Sequence, residues 1–229
     1  GENPAHVDYA LLYETRLPML RRAFARFLRS TPADFDEYVQ QESAWLPEYA
    51  LFMALKDAHN GACWLEWEEP LRRREPAALA AARQQYADDV AFWQAVQFMF
   101  YSQWQALKHY ANRQEIRIIG DLPIYVALDS VDVWSCPQEF QLDENLLPTE
   151  VAGCPPDGFS ATGQLWGNPL FDWDSMAKTG ASNTCAASMM WFALTTSADL
   201  RAIMLSPTGK QPPRTAAGAK APAMRCLLP

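Results

Sequence analysis

A chain of 229 residues with 49% hydrophobic content is long enough for a domain with a real core and too apolar for a disordered one. Its net charge of −8 disfavours the phosphate backbone, because non-specific binding there draws on Lys and Arg; nucleic acid is not an expected partner. Cys63, Cys136, Cys154, Cys185 and Cys226 are odd in number and share no C-x-x-C spacing, which argues against a disulfide framework or zinc site and for reduced thiols in a cytoplasmic protein.

The start at Gly1-Glu2-Asn3 carries no basic-then-apolar leader, so no secretion signal is expected. Leu17, Leu20, Phe24, Phe27 and Leu28 recur at helical spacing and predict an amphipathic helix over 17–29. Thr31 and Pro32 read as an N-cap and first-turn proline, with Asp34 in the first turn and Phe35, Tyr38 and Val39 as the apolar face. Leu46, Tyr49, Phe52, Met53 and Leu55 mark a third helix ending near Gly61. Cys63 to Trp67 alternates aromatic and acidic residues and reads as an irregular connection. Pro76 can open a long helix, in which Tyr86, Val90, Trp93, Val96, Phe100, Trp104 and Leu107 form one stripe. Continuous to Asn112, that helix would be about 54 Å long at about 1.5 Å per residue. The stripe reads as core rather than as a sugar platform. The apolar window Val90 to Leu107 is broken by Gln94, Gln97, Gln103 and Gln105, so it is no membrane span. His6, His59 and His109 have no partner at metal-ligand spacing, and neither metal nor cofactor is expected.

Ile116 to Ile119 is a short β-branched run followed by Gly120-Asp121-Leu122-Pro123, which reads as a buried strand ending in a loop that carries Asp121. In an α/β barrel, a carboxylate just past a strand's C-terminal end is where ligand chemistry is found. Further on, Ala161-Thr162-Gly163-Gln164-Leu165-Trp166-Gly167-Asn168-Pro169 has the composition of an ordered loop presenting an aromatic face. An Asp near a flat aromatic suits a sugar, whose hydroxyls need charged acceptors and whose apolar ring face needs a surface.

Gly120 to Trp134, Val151-Ala152-Gly153-Cys154-Pro155-Pro156-Asp157-Gly158-Phe159-Ser160 and the Trp166 loop together resemble the 4-α-glucanotransferases called amylomaltases or disproportionating enzymes. The resemblance covers residues 7 to 180 and implies an α/β fold, here a fragment of a (β/α)8 TIM barrel with a helical insertion, helix-rich as written. It implies that Asp121 closes the third barrel strand and helps line the site at the bond being broken, with Tyr125 and Trp134 near it or packed beneath the loop. It also implies a long loop over the cleft with Pro156, Asp157, Phe159, Gln164, Trp166 and Asn168 near bound malto-oligosaccharide or α-1,4-glucan. Gly158 departs from the family pattern, which usually has an aromatic there, so one stacking surface is expected to be missing.

Retaining glycoside chemistry needs a nucleophilic and an acid/base carboxylate about 5 to 5.5 Å apart. The family takes its nucleophile from Arg-Ile-Asp-His-Phe, with a Glu and a further Asp later, and none of these motifs stands in this sequence. Composition changes abruptly near Gly180: residues 1–175 hold 26 acidic and 13 basic side chains, and 176–229 hold Asp199 against six basic residues. The bases encoding Met189-Met190-Trp191-Phe192-Ala193-Leu194-Thr195-Thr196-Ser197-Ala198-Asp199 can be read from each third codon base as Asp-Val-Val-Arg-Ile-Asp-His-Phe-Arg-Gly. The first three are forced by the single codons of Met and Trp; the rest are permitted. The same offset recovers two later family segments in order, which points to a shifted reading frame beginning between Gly180 and Ser188. The alternative is a natural Ala/Pro-rich extension.

The expected organisation is a helical insertion at 1–112, a barrel strand with glucan-binding loops at 113–180, and an aberrant tail without stable structure at 181–229. The expected function is that of a 4-α-glucanotransferase fragment without its catalytic carboxylates, moving glucan segments by double displacement only when whole. The alternative is a non-catalytic or vestigial α-glucan-binding polypeptide. Neither requires a membrane.

Overall fold

The computed structural model describes residues 7–119 and 125–179. The described residues divide into two compact units, one within 7–61 and 75–116, the other within 62–74 and 117–179. The tail expected at 181–229 lies outside the described residues.

In the first unit, α1 (Tyr9–Phe27) starts where the Asp8 side chain accepts the Leu11 amide, a full two turns before the expected start at residue 17. The predicted cap at Thr31 is not formed: its hydroxyl donates to the Phe27 carbonyl at the end of α1, and α2 (Phe35–Gln41) is preceded by Asp34 instead. α3 (Leu46–Ala58) ends as expected near Gly61. The Gly61 amide reaches back to the Lys56 carbonyl and the Asn60 amide to that of Asp57, with Asn60 at φ 55°.

The helix expected from Pro76 to Asn112 is two helices. α5 (Pro76–Gln85) and α6 (Ala87–Arg113) are separated by Tyr86 at φ −108°, ψ 27°. Pro76 does stand in the first turn of α5. The break lets Leu79 and Ala82 of α5 bury while α6 lies along α3. Around these helices Phe24, Ala50, Ala54, Phe92, Trp93 and Ala95 form one core, and Tyr38, Leu46 and Phe98 a second. Rings meet edge-on, with Phe24 and Phe92 at 5.6 Å and Phe35 and Phe98 at 5.4 Å. Arg21 lies over the Phe92 ring and pairs with both Asp57 and Asp89, which ties α1 to α3 and α6. The predicted stripe on α6 is packed at Val90, Trp93 and Val96 but exposed at Phe100 and Leu107.

The expected strand at Ile116–Ile119 is not formed. Ile116 is 59% and Ile119 85% exposed. The Ile116 amide instead donates to the Ala111 carbonyl, with Glu115 at φ 59°, and so caps α6. A β-branched run records a preference for the extended backbone, but a strand also needs a neighbour to bond with.

In the second unit, residues 62–74, expected to belong with the helical insertion, pack with the later part of the chain. Trp64, in a 3-10 turn at Trp64–Glu66, is fully buried and donates its indole N–H to the Leu128 carbonyl at 2.7 Å. After α4 (Glu69–Arg72), Arg74 lies over the Trp134 ring and Arg73 donates to the Glu144 carbonyl. Next comes α7 (Val131–Ser135), whose first turn is capped by Ser130. β1 (Val151–Cys154) and β2 (Gln164–Pro169) form an antiparallel pair with Cys154 opposite Gln164 and a bulge between Val151 and Gly153. α8 (Trp173–Thr179) follows. Phe140 stacks on Phe171 at 4.8 Å, and the Gln141 amide donates to the Leu170 carbonyl, so the chain entering and leaving the hairpin is pinned together.

Candidate functional site

The site is built on the hairpin. At its mouth, a Cβ on Gly153 would lie 2.6 Å from the Gln164 carbonyl oxygen, and one on Gly163, at φ +74°, would lie 2.5 Å from that of Cys154. Glycine therefore lets the two strands close this tightly. The tip is ordered from within. The Asp157 carboxylate accepts the Phe159 and Ser160 amides, both at 2.8 Å, and the Ser160 hydroxyl donates to the Gly163 carbonyl at 2.7 Å. This arrangement thrusts the Phe159 ring outward, where it is 98% exposed, with Pro156 and Gly158 beside it in solvent.

On β2, Trp166 is 46% exposed and its indole N–H donates to the Gln164 side-chain oxygen at 3.0 Å. Tyr125 leans on Trp166 with ring centroids 5.9 Å apart and planes 54° apart. Asn168 donates its amide to the Val126 carbonyl at 2.9 Å, fastening the segment after residue 124 to β2. Tyr125, Gln164, Trp166 and Asn168 thus form one polar and aromatic cluster, while Pro156, Asp157 and Phe159 stand at the tip. Asp121 lies outside the described residues.

Trp134, expected near the site or packed beneath the loop, is packed in the interior of its unit. It is fully buried, its indole N–H donates to the Leu71 carbonyl at 3.1 Å, and Trp67 meets it edge-on at 5.6 Å. No face of that ring is open, and its role is to pack the floor under α7. Leu165, 70% exposed, is an apolar surface that sequence reasoning did not single out. It neighbours Trp166 in β2 and so faces the opposite side of the hairpin.

At Asp132, in the first turn of α7, burial pushes the carboxyl above the ordinary Asp range, partly offset by a hydrogen bond to its own backbone amide. Among the described residues no group of three or more His, Cys, Asp or Glu is placed to hold a metal ion. No described helix is long and apolar enough to cross a membrane. The chemistry of the cluster suits binding: aromatic faces for an apolar ring surface, with the side-chain amides of Gln164 and Asn168 beside them for hydroxyls.

Comparison with known proteins agrees with the motifs. The family model described as 4-alpha-glucanotransferase matches residues 2–184. The chain is similar to the 4-alpha-glucanotransferase of Thermus thermophilus, 50% identical over 186 residues, covering 80% of this chain and 37% of the relative. It is also similar to that of Clostridium butyricum, 43% identical over 180 residues, covering 78% and 37%. Among solved structures it resembles an amylomaltase from Streptococcus agalactiae in complex with acarbose, with TM-score 0.71 and 43% identity, covering 76% of this chain and 35% of that one. The chain thus spans little more than a third of the length of these relatives. With the family model matching most of its length, the chain belongs to the 4-α-glucanotransferase family.

Proposed function

We propose that this chain is the glucan-contacting part of a cytoplasmic 4-α-glucanotransferase built on a (β/α)8 barrel, and that as written it holds malto-oligosaccharide without transferring it. The observation that carries the reading is the hairpin itself. It presents Trp166, with Tyr125 leaning on it, and an outward Phe159 within the stretch matched by the family model. In the whole enzyme, transfer would run through a covalent glucosyl intermediate, with a sugar hydroxyl as the second acceptor. The nucleophile motif Arg-Ile-Asp-His-Phe is absent from this sequence, so that intermediate has nothing to form on.

The test is glucose release from maltotriose. The 229-residue chain is expected to release none above the buffer rate, since losing a carboxylate that acts in the transition state removes several powers of ten in rate. A gene with its frame restored from about codon 180, joined to the barrel parts of a relative, is expected to recover transfer. Sustained release of glucose with matching growth of longer oligosaccharides by the chain as written would refute the reading.

A further inference from the structure

We infer that Asn168 serves the glucan site as a positioning residue: from β2 it holds Tyr125 against Trp166, so that two rings rather than one are set for a sugar. The inference rests on the reading of the hairpin proposed above. It starts from an irregularity in the strand. Val151 and Gly153 stand two residues apart on β1, but their partners Pro169 and Leu165 stand four apart on β2, so Trp166, Gly167 and Asn168 bulge from the ladder. Gly167 turns the bulge at φ +81°, and a Cβ there would meet nothing within 4 Å; the glycine serves the left-handed backbone rather than a crowded neighbour. A bulge takes its residues out of cross-strand pairing and re-aims their side chains. Here it leaves Trp166 exposed and turns the half-buried Asn168 toward the segment after residue 124.

Asn168 Nδ2 donates to the Val126 carbonyl at 2.9 Å. A carbonyl oxygen only accepts, so this edge of the amide is spent on the protein's own backbone. Val126 is one residue past Tyr125, whose ring centroid lies 5.9 Å from that of Trp166. Further along the same segment, Trp64 donates its indole N–H to the Leu128 carbonyl at 2.7 Å and its backbone N–H to the Asp129 side chain at 3.3 Å. Without Asn168, the nearer of these two ties is three residues from Tyr125, and each intervening residue adds two soft backbone dihedrals between the anchor and the ring. Direct contact with a sugar and positioning make different demands on Asn168: the first acts independently of Tyr125, the second only through it.

The experiment takes the isotope-labelled full chain as wild type, Asn168→Ala, Asn168→Asp, Tyr125→Ala and the double variant Asn168→Ala, Tyr125→Ala. Asn168→Asp keeps the shape of the side chain and, ionised, cannot donate. Without ligand, a nuclear Overhauser contact between the Tyr125 and Trp166 rings is expected in the wild type and lost in both Asn168 variants. The amide signals of Cys154 and Gln164 should stay in place, because their pairing lies outside the bulge. Titrated with maltoheptaose, Asn168→Ala should bind about threefold to tenfold more weakly, the range one hydrogen bond supplies, and the double variant no more weakly than Tyr125→Ala alone. Absence of the ring contact in the wild type, its retention in either Asn168 variant, or effects of the two substitutions that multiply would each overturn the inference, the last by making Asn168 a direct ligand of the sugar. Displacement of the Cys154 and Gln164 amides in both Asn168 variants would overturn it too, by showing a role in the hairpin as a whole. Loss of the ring contact in the variants of a chain that binds no maltoheptaose would leave positioning supported and count against the proposed function. Binding at wild-type strength by Asn168→Ala would do the reverse.

Discussion

At Gly163 the backbone holds φ +74° with no room for a Cβ, whereas at Gly158 a Cβ would meet nothing within 4 Å. The two glycines of one hairpin loop should therefore respond unequally to the same change. Gly163→Ala is expected to cost about 1 to 3 kcal/mol in local stability, and Gly158→Ala close to nothing. Hydrogen exchange at the paired strand residues Cys154 and Gln164 reads the difference; equal protection in both variants would contradict it. Asp132 gives a second test at this scale. Its carboxyl is raised by burial, so as pH climbs the unfolded chain loses this proton before the folded chain does. The stability it contributes is fully present below the ordinary Asp value of about 3.9 and is lost as pH rises through the elevated one. Asp132→Asn should raise the melting temperature at pH 7 and leave it nearly unchanged near pH 3. A variant that gains equally at both would show that burial of the charge is not the cause.

Elements that announce themselves by local chemistry were legible in the sequence. The end of α3 could be read because Asn60 and Gly61 supply the left-handed turn, and the start of α5 because Pro76 suits a first helical turn. Elements decided by tertiary partners were not. Nothing in the periodicity marks the break at Tyr86, which carries neither proline nor glycine and keeps its ring on the core. Thr31 could cap either neighbour, and its hydroxyl bonds back to α1. Trp64 and Trp67 read as an irregular connection because their partners, Leu128 for one and Trp134 for the other, lie more than sixty residues downstream. Trp134 is where that packing can be tested. Trp134→Ala removes a fully buried ring and a bonded indole N–H, and should lower the stability of its unit by about 3 to 5 kcal/mol. Denaturant unfolding measures it, and a loss below about 1 kcal/mol would return Trp134 to the list of candidate ligand contacts.

For the molecule as a whole, the family was legible because its signature lies in loops, where function constrains residue types more closely than packing does. The same loops hold the hairpin cluster: Gln164, Trp166 and Asn168 alternate along β2, and Tyr125 leans on Trp166. The expected strand was not legible in its outcome, because Ile116 to Ile119 carries the preference for a strand but no neighbour for it, and its first amide caps α6 instead. The central claim is that this hairpin meets glucan through Trp166, and the indole N–H of that residue reports on it directly because it is already held by Gln164. In a titration of the isotope-labelled chain with maltoheptaose, followed by NMR and assigned with Trp166→Phe, the Trp166 indole resonance should move and saturate in the millimolar range, about −4 kcal/mol. A Trp166 resonance that stays fixed at saturating maltoheptaose, whether or not other signals shift, would contradict the account.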